Sequence, residues 1–356
     1  VTPSVPLYVT PDVAPDGRAV VNVAGPPAPR ELARDALARN EPLLRSLMGL
    51  LVQAHYRTTP SDLHRLLDAP NLAVHAIVDG DRVLAATLVA REGGLPPERC
   101  AALSRGQGRV RGHALADTLV THAQRPAAGA LTMIRSVRIA VHPDWRRRQL
   151  AHALVDHVHA TYAPDLFGTV FGATADVVRF RRRAGYAVVR VGTTRGARSG
   201  EPAVVMVRAH SPAARALVTE LRADLARDLP LQRRLLDADT HGRGLEGALA
   251  QALAEDLPAA TPLPDDEVAA RVRAYIDGPQ TFEAAAWALT RFVENAELDD
   301  LDAPARDLVR GRVLAAAPWD VVARAAGYAS TAAAMRALRP AIARLHAARA
   351  GRHGPG

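Results

Sequence analysis

Residues 138–154, RIAVHPDWRRRQLAHAL, constrain this chain more than any other stretch. Val137, Ile139 and Val141 lie in a β-branched run that reads as a buried strand. His142 and Pro143 end it, because proline offers no N–H to a ladder and biases its predecessor toward extended backbone. Three arginines follow, and LAHALVDHVHA then spaces its apolar residues as a helix does. Strand, basic turn and helix together aim backbone N–H groups and a helix dipole at a phosphate. Loops of this kind normally carry glycines, which let the backbone approach the phosphate closely. Here Gln149 and Ala151 stand instead.

The chain has 356 residues, enough for two domains with separate cores. At 48% hydrophobic and 23% charged it is globular in composition. No apolar run reaches bilayer length and no leader pattern opens the sequence, so a cytoplasmic setting and no membrane contact are expected. The single cysteine, Cys100, excludes an internal disulfide framework and a CxxC metal site, and no metal is expected. Basic residues outnumber acidic ones 45 to 37, for a net charge of +8, and arginine carries the positive charge. Arginine forks suit phosphates and stack on bases, which points to nucleic acid or a phosphorylated cofactor. A genomic bias toward arginine and alanine codons explains the same composition.

A helical pattern runs from about Pro29 to Tyr56, with a break near Pro42. PSDLHRLLDA follows as a second helix, capped near Ser61 or Asp62 and closed by Pro70. NLAVHAIVDGDRVLAATLVA reads as two strands joined at Asp79–Gly80–Asp81, and REGGLPPER as a loop. After the short helix ALADTLVTHA and the opening strand and helix come the strand LFGTVFGAT and the helix ADVVRFRRRAGY, stopped by Gly185. AVVRVG and PAVVMVRA are two more strands. These bounds give an extension or remnant of a missing module over 1–29, an α/β domain over 30–210 and an all-helical domain over 211–356. A linker is expected at 258–267.

This order resembles the GNAT acetyltransferase fold, an α/β (α+β) architecture here followed by a helical domain. In that fold one strand splays from its neighbour to pair with the pantetheine arm of acetyl-CoA, and the next turn cradles the pyrophosphate. The turn pattern is Q/R-x-x-G-x-G/A; from Arg146 this chain reads R-R-R-Q-L-A. QAHYRTTPSDLHRLLDAPN, REGGL, RVRGHALADTLVTHA, VRIAVHP, FGATADVVRFRRRAGY and RSGEPAVVMV together resemble the tRNA(Met) cytidine acetyltransferase family.

That resemblance implies transfer of an acetyl group from acetyl-CoA to the exocyclic N4 of a cytidine in RNA, the wobble cytidine of elongator tRNA(Met) first among candidates. It implies that Ile139, Ala140 and Val141 line the acetyl and pantetheine arm through their backbone. Arg146, Arg147, Arg148, Gln149, Leu150, Ala151 and His152 then form the pyrophosphate turn. Asp176 stands where the family has glutamate, and Arg183 matches an arginine near the cofactor. His55 and Tyr56 are the catalytic candidates. The N4 amine is conjugated into the ring, so a base must take its proton, and histidine has a suitable pKa. Tyrosine suits protonation of the leaving thiolate or a hold on the acetyl carbonyl. Arg105, Arg109 and Arg111, set among Gly106, Gly108 and Gly112, form a flexible basic loop suited to an RNA backbone. PWDVVARAAGYASTAAAMRALRPAI, 318–342, has the Ala323 and Gly327 spacing of a helix-turn-helix and reads as a tight helical hairpin, with nucleic-acid contact through Arg336 and Arg339 as the alternative.

The family also carries an ATPase module with a GxxxxGK[ST] loop, and no such motif occurs in this sequence. The chain is then either a fragment or a stand-alone relative, with an ATPase partner upstream or in trans. Two alternatives stay open. One is a GNAT transferase acting on a small amine or protein lysine. The other is a non-catalytic RNA-binding relative in which Gln149 and Asp176 mark a lost cofactor site.

Overall fold

A computed structural model describes residues 27–53, 60–195, 200–242 and 244–352. The chain begins with β1 (Arg30–Leu32), α1 (Arg34–Arg39), α2 (Glu41–Gln53), α3 (Pro60–Asp68), β2 (Leu72–Asp79) and β3 (Arg82–Gly93). Then come α4 (Pro97–Ser104), α5 (Ala114–Asp117) with a π-helical turn Thr118–His122, and β4 (Thr132–Val141). α6 (Leu150–Thr161), β5 (Leu166–Gly172), α7 (Ala175–Arg183), β6 (Ala187–Arg195) and β7 (Pro202–Ala209) follow. The remainder is helical: α8 (Pro212–Asp239), α9 (Gly247–Ala254), α10 (Asp265–Asp277), α11 (Phe282–Glu294), α12 (Ala303–Leu308), α13 (Trp319–Ala325) and α14 (Thr331–Arg352). Two compact units result. One holds the residues up to Glu92 with Thr132–Thr169; the other holds Gly93–Leu131 and the chain from Val170 onward.

In the first unit the strands lie in the order β1-β2-β3-β4-β5. β2 and β3 form an antiparallel hairpin through Asp79–Gly80–Asp81, with Gly80 at φ +57. Both strands are buried almost end to end, as expected of a sheet covered on two sides. Leu37, Leu47, Leu50 and Leu66 of α1–α3 pack with Val74, Ala76, Leu88 and Ala140. Leu150 and Leu154 of α6 pack with Ile77, Leu84 and Ala85 in a separate cluster. Polar groups inside this sheet are paired. Arg135 of β4 binds Glu92 of β3, and both are buried. His75 of β2 is fully buried, with Nδ1 3.1 Å from His157 Nε2 and Nε2 2.9 Å from the Tyr162 hydroxyl.

In the second unit β6 and β7 pair antiparallel, from Ala187 opposite Val207 to Arg195 opposite Pro202. Ser211 caps α8 by accepting from the Ala214 N–H at 3.2 Å, and Pro212 opens the helix. Helices α10 to α14 enclose a core that includes Val272, Phe282, Leu289, Phe292, Leu338 and Ile342. Arg312, in a π-helical turn Val309–Leu314, is wholly buried in this group. Asp239 accepts from it at 2.7 and 3.0 Å and Glu283 at 3.2 Å, while the Trp319 ring lies 4.5 Å away. A buried guanidinium keeps its charge, so these carboxylates are what makes its position tolerable. The Cys100 thiol is buried against Gly129, where a Cβ would stand 2.5 Å from its sulfur, and burial pushes its pKa up.

Several elements differ from the sequence reading. The first helical pattern divides into β1, α1 and α2, and the break falls at Asn40. Its side chain accepts from the Leu43 N–H at 3.0 Å, so Pro42 sits inside the first turn of α2, where its missing N–H costs nothing. REGGLPPER splits into the end of β3 and the start of α4, because Pro97 opens a helix here. Arg181 of α7, set in a run with Arg182 and Arg183, is 4% exposed and lies 5.5 Å from the Phe180 and Tyr186 ring centroids. The hairpin expected at 318–342 is present: α13 and α14 flank Gly327 at φ +75. Among the described residues no helix is long and apolar enough to cross a membrane.

Burial, then His157 and Arg91, hold the His75 imidazole neutral and lower its pKa from 6.5 to about 4. The folded value lies below the unfolded one, so this contribution to stability is complete above pH 6.5 and is lost as pH falls toward 4. Urea midpoints between pH 7.5 and 4.5 should therefore fall, and His75→Gln should flatten that part of the profile.

Candidate functional site

Backbone hydrogen bonding decides the geometry at the end of β4. Its parallel ladder with β5 runs from Met133–Leu166 to Ser136–Thr169, and the Thr169 hydroxyl donates to the Ser136 carbonyl at 3.2 Å. β4 itself continues five residues further, through Val137–Val141. On its β3 side this extension stays anchored. The Thr87 hydroxyl donates to the Arg138 carbonyl at 2.8 Å, and the His142 N–H to the Leu84 carbonyl at 2.9 Å. Ile139, Ala140 and Val141 thus lie on a strand that outruns its parallel ladder, with its backbone open to an extended ligand.

The turn after it is built without glycine. The His142 ring accepts from the Asp144 N–H at 3.4 Å, and a 3₁₀ turn spans Pro143–Trp145. Burial, then Arg82, lowers the His142 pKa. Arg147 and Gln149 then adopt the left-handed region, at φ +60 and +61. Gln149 is the residue just before α6, and its side chain makes no capping hydrogen bond. A residue with a Cβ in this conformation costs about 1–2 kcal/mol. The backbone therefore takes the glycine conformation without glycine. Leu150, 3% exposed, and Leu154, fully buried, anchor the first turns of α6 against Ile77 and Leu84 and fix where the loop must end.

Arg146, Arg147, Arg148 and Gln149 are all exposed. Arg148 lies 4.6 Å from the Trp145 ring centroid, while the side chains of Arg146 and Arg147 have no hydrogen-bond or ion-pair partner among the described residues. Ala151 and His152 are half-buried on the first turn of α6. This turn offers an anion cationic side chains and a helix N-terminus together.

Other expected site residues fall elsewhere. His55 and Tyr56 lie outside the described residues. Asp176 and Arg183 belong to the second unit, on α7; both are exposed, and the Asp176 side chain is 98% so. Arg105, Arg109 and Arg111 are exposed on one loop of that unit, as expected. Their loop is more fixed than its glycines suggest. Arg99 donates to the Arg109 carbonyl at 2.9 Å, and a Cβ on Gly106 would stand 2.9 Å from Pro279. Among the described residues no cluster suits a metal ion.

Sequence reasoning missed the ion pair between Arg138 and Asp62, 3.6 Å apart beside a small cleft bounded by Met48, Leu51 and Leu66. The signal was present: a charged residue in the middle of a buried strand requires a partner. It also missed a cavity of about 670 Å³ beside Trp319, Phe282 and Met335, whose Asp239 and Glu283 are already engaged by Arg312.

The GNAT acetyltransferase 2 family matches residues 46–164, the segment that carries this strand and turn. The tRNA(Met) cytidine acetyltransferase TmcA of Haloferax volcanii is 37% identical over 327 residues, covering 87% of this chain and 41% of the relative. The same enzyme of Haloarcula marismortui is 36% identical, covering 89% and 41%, and that of Nitrosococcus halophilus 34%, covering 88% and 42%. This chain belongs to the tRNA(Met) cytidine acetyltransferase family. It spans about two-fifths of the length of the curated relatives it matches. A solved Drosophila melanogaster polyamine N-acetyltransferase overlaps 51% of the chain and 99% of its own length, at 16% identity and a TM-score of 0.37.

The strained position is directly testable. Gln149→Gly should raise the unfolding free energy by about 1 kcal/mol, because glycine takes φ +61 without penalty. Gln149→Val should lower it by at least about 1 kcal/mol, since β-branching makes this conformation a severe outlier. Urea titration of the three proteins gives both numbers.

Proposed function

We propose that the chain transfers an acetyl group from acetyl-CoA to the exocyclic N4 amine of a cytidine in RNA, with the wobble cytidine of elongator tRNA(Met) as acceptor. The observation that carries this reading is the left-handed backbone at Arg147 and Gln149, placed directly after a strand that outruns its ladder. A phosphate held by the backbone of this turn would offset the cost of keeping two non-glycine residues there. The donor set also fits the cofactor: exposed arginines without protein partners beside a helix N-terminus suit a pyrophosphate.

Bound acetyl-CoA supplies an activated acetyl thioester. The backbone of Ile139, Ala140 and Val141 would hold its extended arm as an added strand does, and Arg146 to His152 would hold its phosphates. His55 would accept the proton from the N4 amine, whose lone pair is tied up in the ring. Tyr56 would orient the acetyl carbonyl or protonate the leaving thiolate. Asp176 and Arg183 are proposed at the cofactor, and Arg105, Arg109 and Arg111 at the RNA backbone, where exposed guanidinium groups are worth most. The acetyltransferase domain of this reading spans 30–210, and the helical domain from 211 onward assists tRNA binding. The setting is the cytoplasm. The ATPase module is an upstream or separate partner.

Thermal unfolding of the whole chain with excess acetyl-CoA tests the cofactor half. A ligand at about a hundredfold over its Kd adds about 2.7 kcal/mol, a shift of several degrees that Arg147→Ala should reduce. Labelled acetyl-CoA with a tRNA(Met) transcript tests the other half, with N4-acetylcytidine as the expected product. Transfer to small amines or lysines alone would reassign the acceptor. Salt-sensitive tRNA binding without any response to acetyl-CoA would leave a binding module and refute catalysis.

A further inference from the structure

In the second unit, a cavity of about 70 Å³ is lined by groups that acetyl transfer does not use. His122 ends the π-helical turn, Arg190 lies on β6, Asp224, Asp228 and Gln232 lie on α8, and Arg271 on α10. The volume exceeds the roughly 10–15 Å³ that one water needs and suits a small solute.

The polar groups around it are unevenly satisfied. Asp224 accepts from Arg125, Arg227 and Arg271, so one carboxylate serves three guanidinium groups. Glu220 adds a second contact to Arg125, at 3.3 Å. The Arg190 side chain, half-buried at this cavity, has no hydrogen-bond or ion-pair partner among the described residues, and burial lowers its pKa. A guanidinium cannot shed its charge to suit such a place. An anion in the cavity would give it the partner it lacks. Gln232 adds a buried Oε1 atom with no donor, and the Asp228 carboxyl, also without a partner, is pushed up to about 7 by burial and by Asp224. Near neutral pH the Asp228 carboxyl carries its own proton about half the time, so the acceptor that lacks a hydrogen is Gln232 Oε1, and a simple anion without a proton leaves it unpaired.

We infer that this cavity binds a protonated phosphate, either inorganic phosphate or a phosphomonoester, whose oxygens accept from Arg190 and Arg271 while its P–O–H donates to Gln232 Oε1. Hydrogen phosphate carries acceptors and a donor on one small tetrahedral group. Sulfate has the same shape without the proton at neutral pH, and an RNA phosphodiester has no P–O–H. Discrimination between these ligands follows from that acceptor alone, since a buried acceptor left unpaired costs more than a bond gained. The site is separate from the acetyl-CoA turn, and its test does not depend on acetyl transfer.

Calorimetric titration of the whole chain with inorganic phosphate should show saturable binding. Sulfate at matched ionic strength should bind at least about tenfold more weakly, because it leaves that acceptor unpaired. Arg190→Gln should lose phosphate binding by about the same factor, with circular dichroism and urea melting as the check on folding. If that variant does not fold, Gln232→Met removes that acceptor without adding charge, and should bring the phosphate affinity toward that of sulfate. Equal affinity for the two anions, no saturable phosphate binding, or undiminished binding in a folded Arg190→Gln protein would overturn the assignment. So would a single-stranded RNA that displaces phosphate in an Arg190-dependent way, since that gives the site to phosphodiesters.

Discussion

The parallel pairing of β4 with β5 covers only four residues on each strand, and the proposed cofactor site depends on where it stops. Every backbone N–H and C=O in a buried strand needs a partner. Up to Ser136 the neighbouring strand supplies it; from Val137 to Val141 β4 stays tied to β3 through Arg138 and His142. That asymmetry holds the strand in place and keeps one side available. Helix α6 then fixes the distance over which the chain must turn, because Leu150 and Leu154 are committed to the core. With both ends fixed, the turn of Arg146–Gln149 has little freedom, and left-handed residues are its solution even without glycine.

Much of this was readable in the sequence. The β-branched run, the His-Pro stop and the helical spacing of LAHALVDHVHA place the end of β4, the turn and α6 within a residue or two of their observed bounds, while β4 begins at Thr132, five residues before that run. The conformation of the turn was not. Gln149 has no intrinsic preference for φ +61, so only the geometry imposed by the strand and the helix determines it. REGGLPPER was misread for a related reason, since the meaning of Pro97 depends on whether a helix starts or continues there. The buried arginines were the hardest to foresee. Spacing puts Arg181 on a charged helix, and only the packing of Phe180 and Tyr186 around it reveals that it points inward.

Arginine is also the common thread of the two units. Arg135 is matched by Glu92, and Arg312 by Asp239 and Glu283. These pairs are weak arguments for stability, because desolvation consumes most of their attraction. They are stronger arguments for specificity, since a misplaced guanidinium in either core would have no counter-charge. The side chains of Arg146 and Arg147, by contrast, stand exposed with no partner among the described residues. The division of labour is between arginines spent on the fold and arginines left for ligands.

All 45 cationic side chains are arginine, and lysine does not occur in the sequence. The one thiol, Cys100, lies on the buried face of α4 and is 3% exposed. Thioesters spontaneously acylate free amines and thiolates, whereas a guanidinium is a poor nucleophile. A protein of this composition has no ε-amino group to acylate and shields its only thiol, so it is chemically quiet toward the reagent it is proposed to handle. Covalent self-labelling on lysine, a common background in assays of acyl transfer, has no place on this chain to occur.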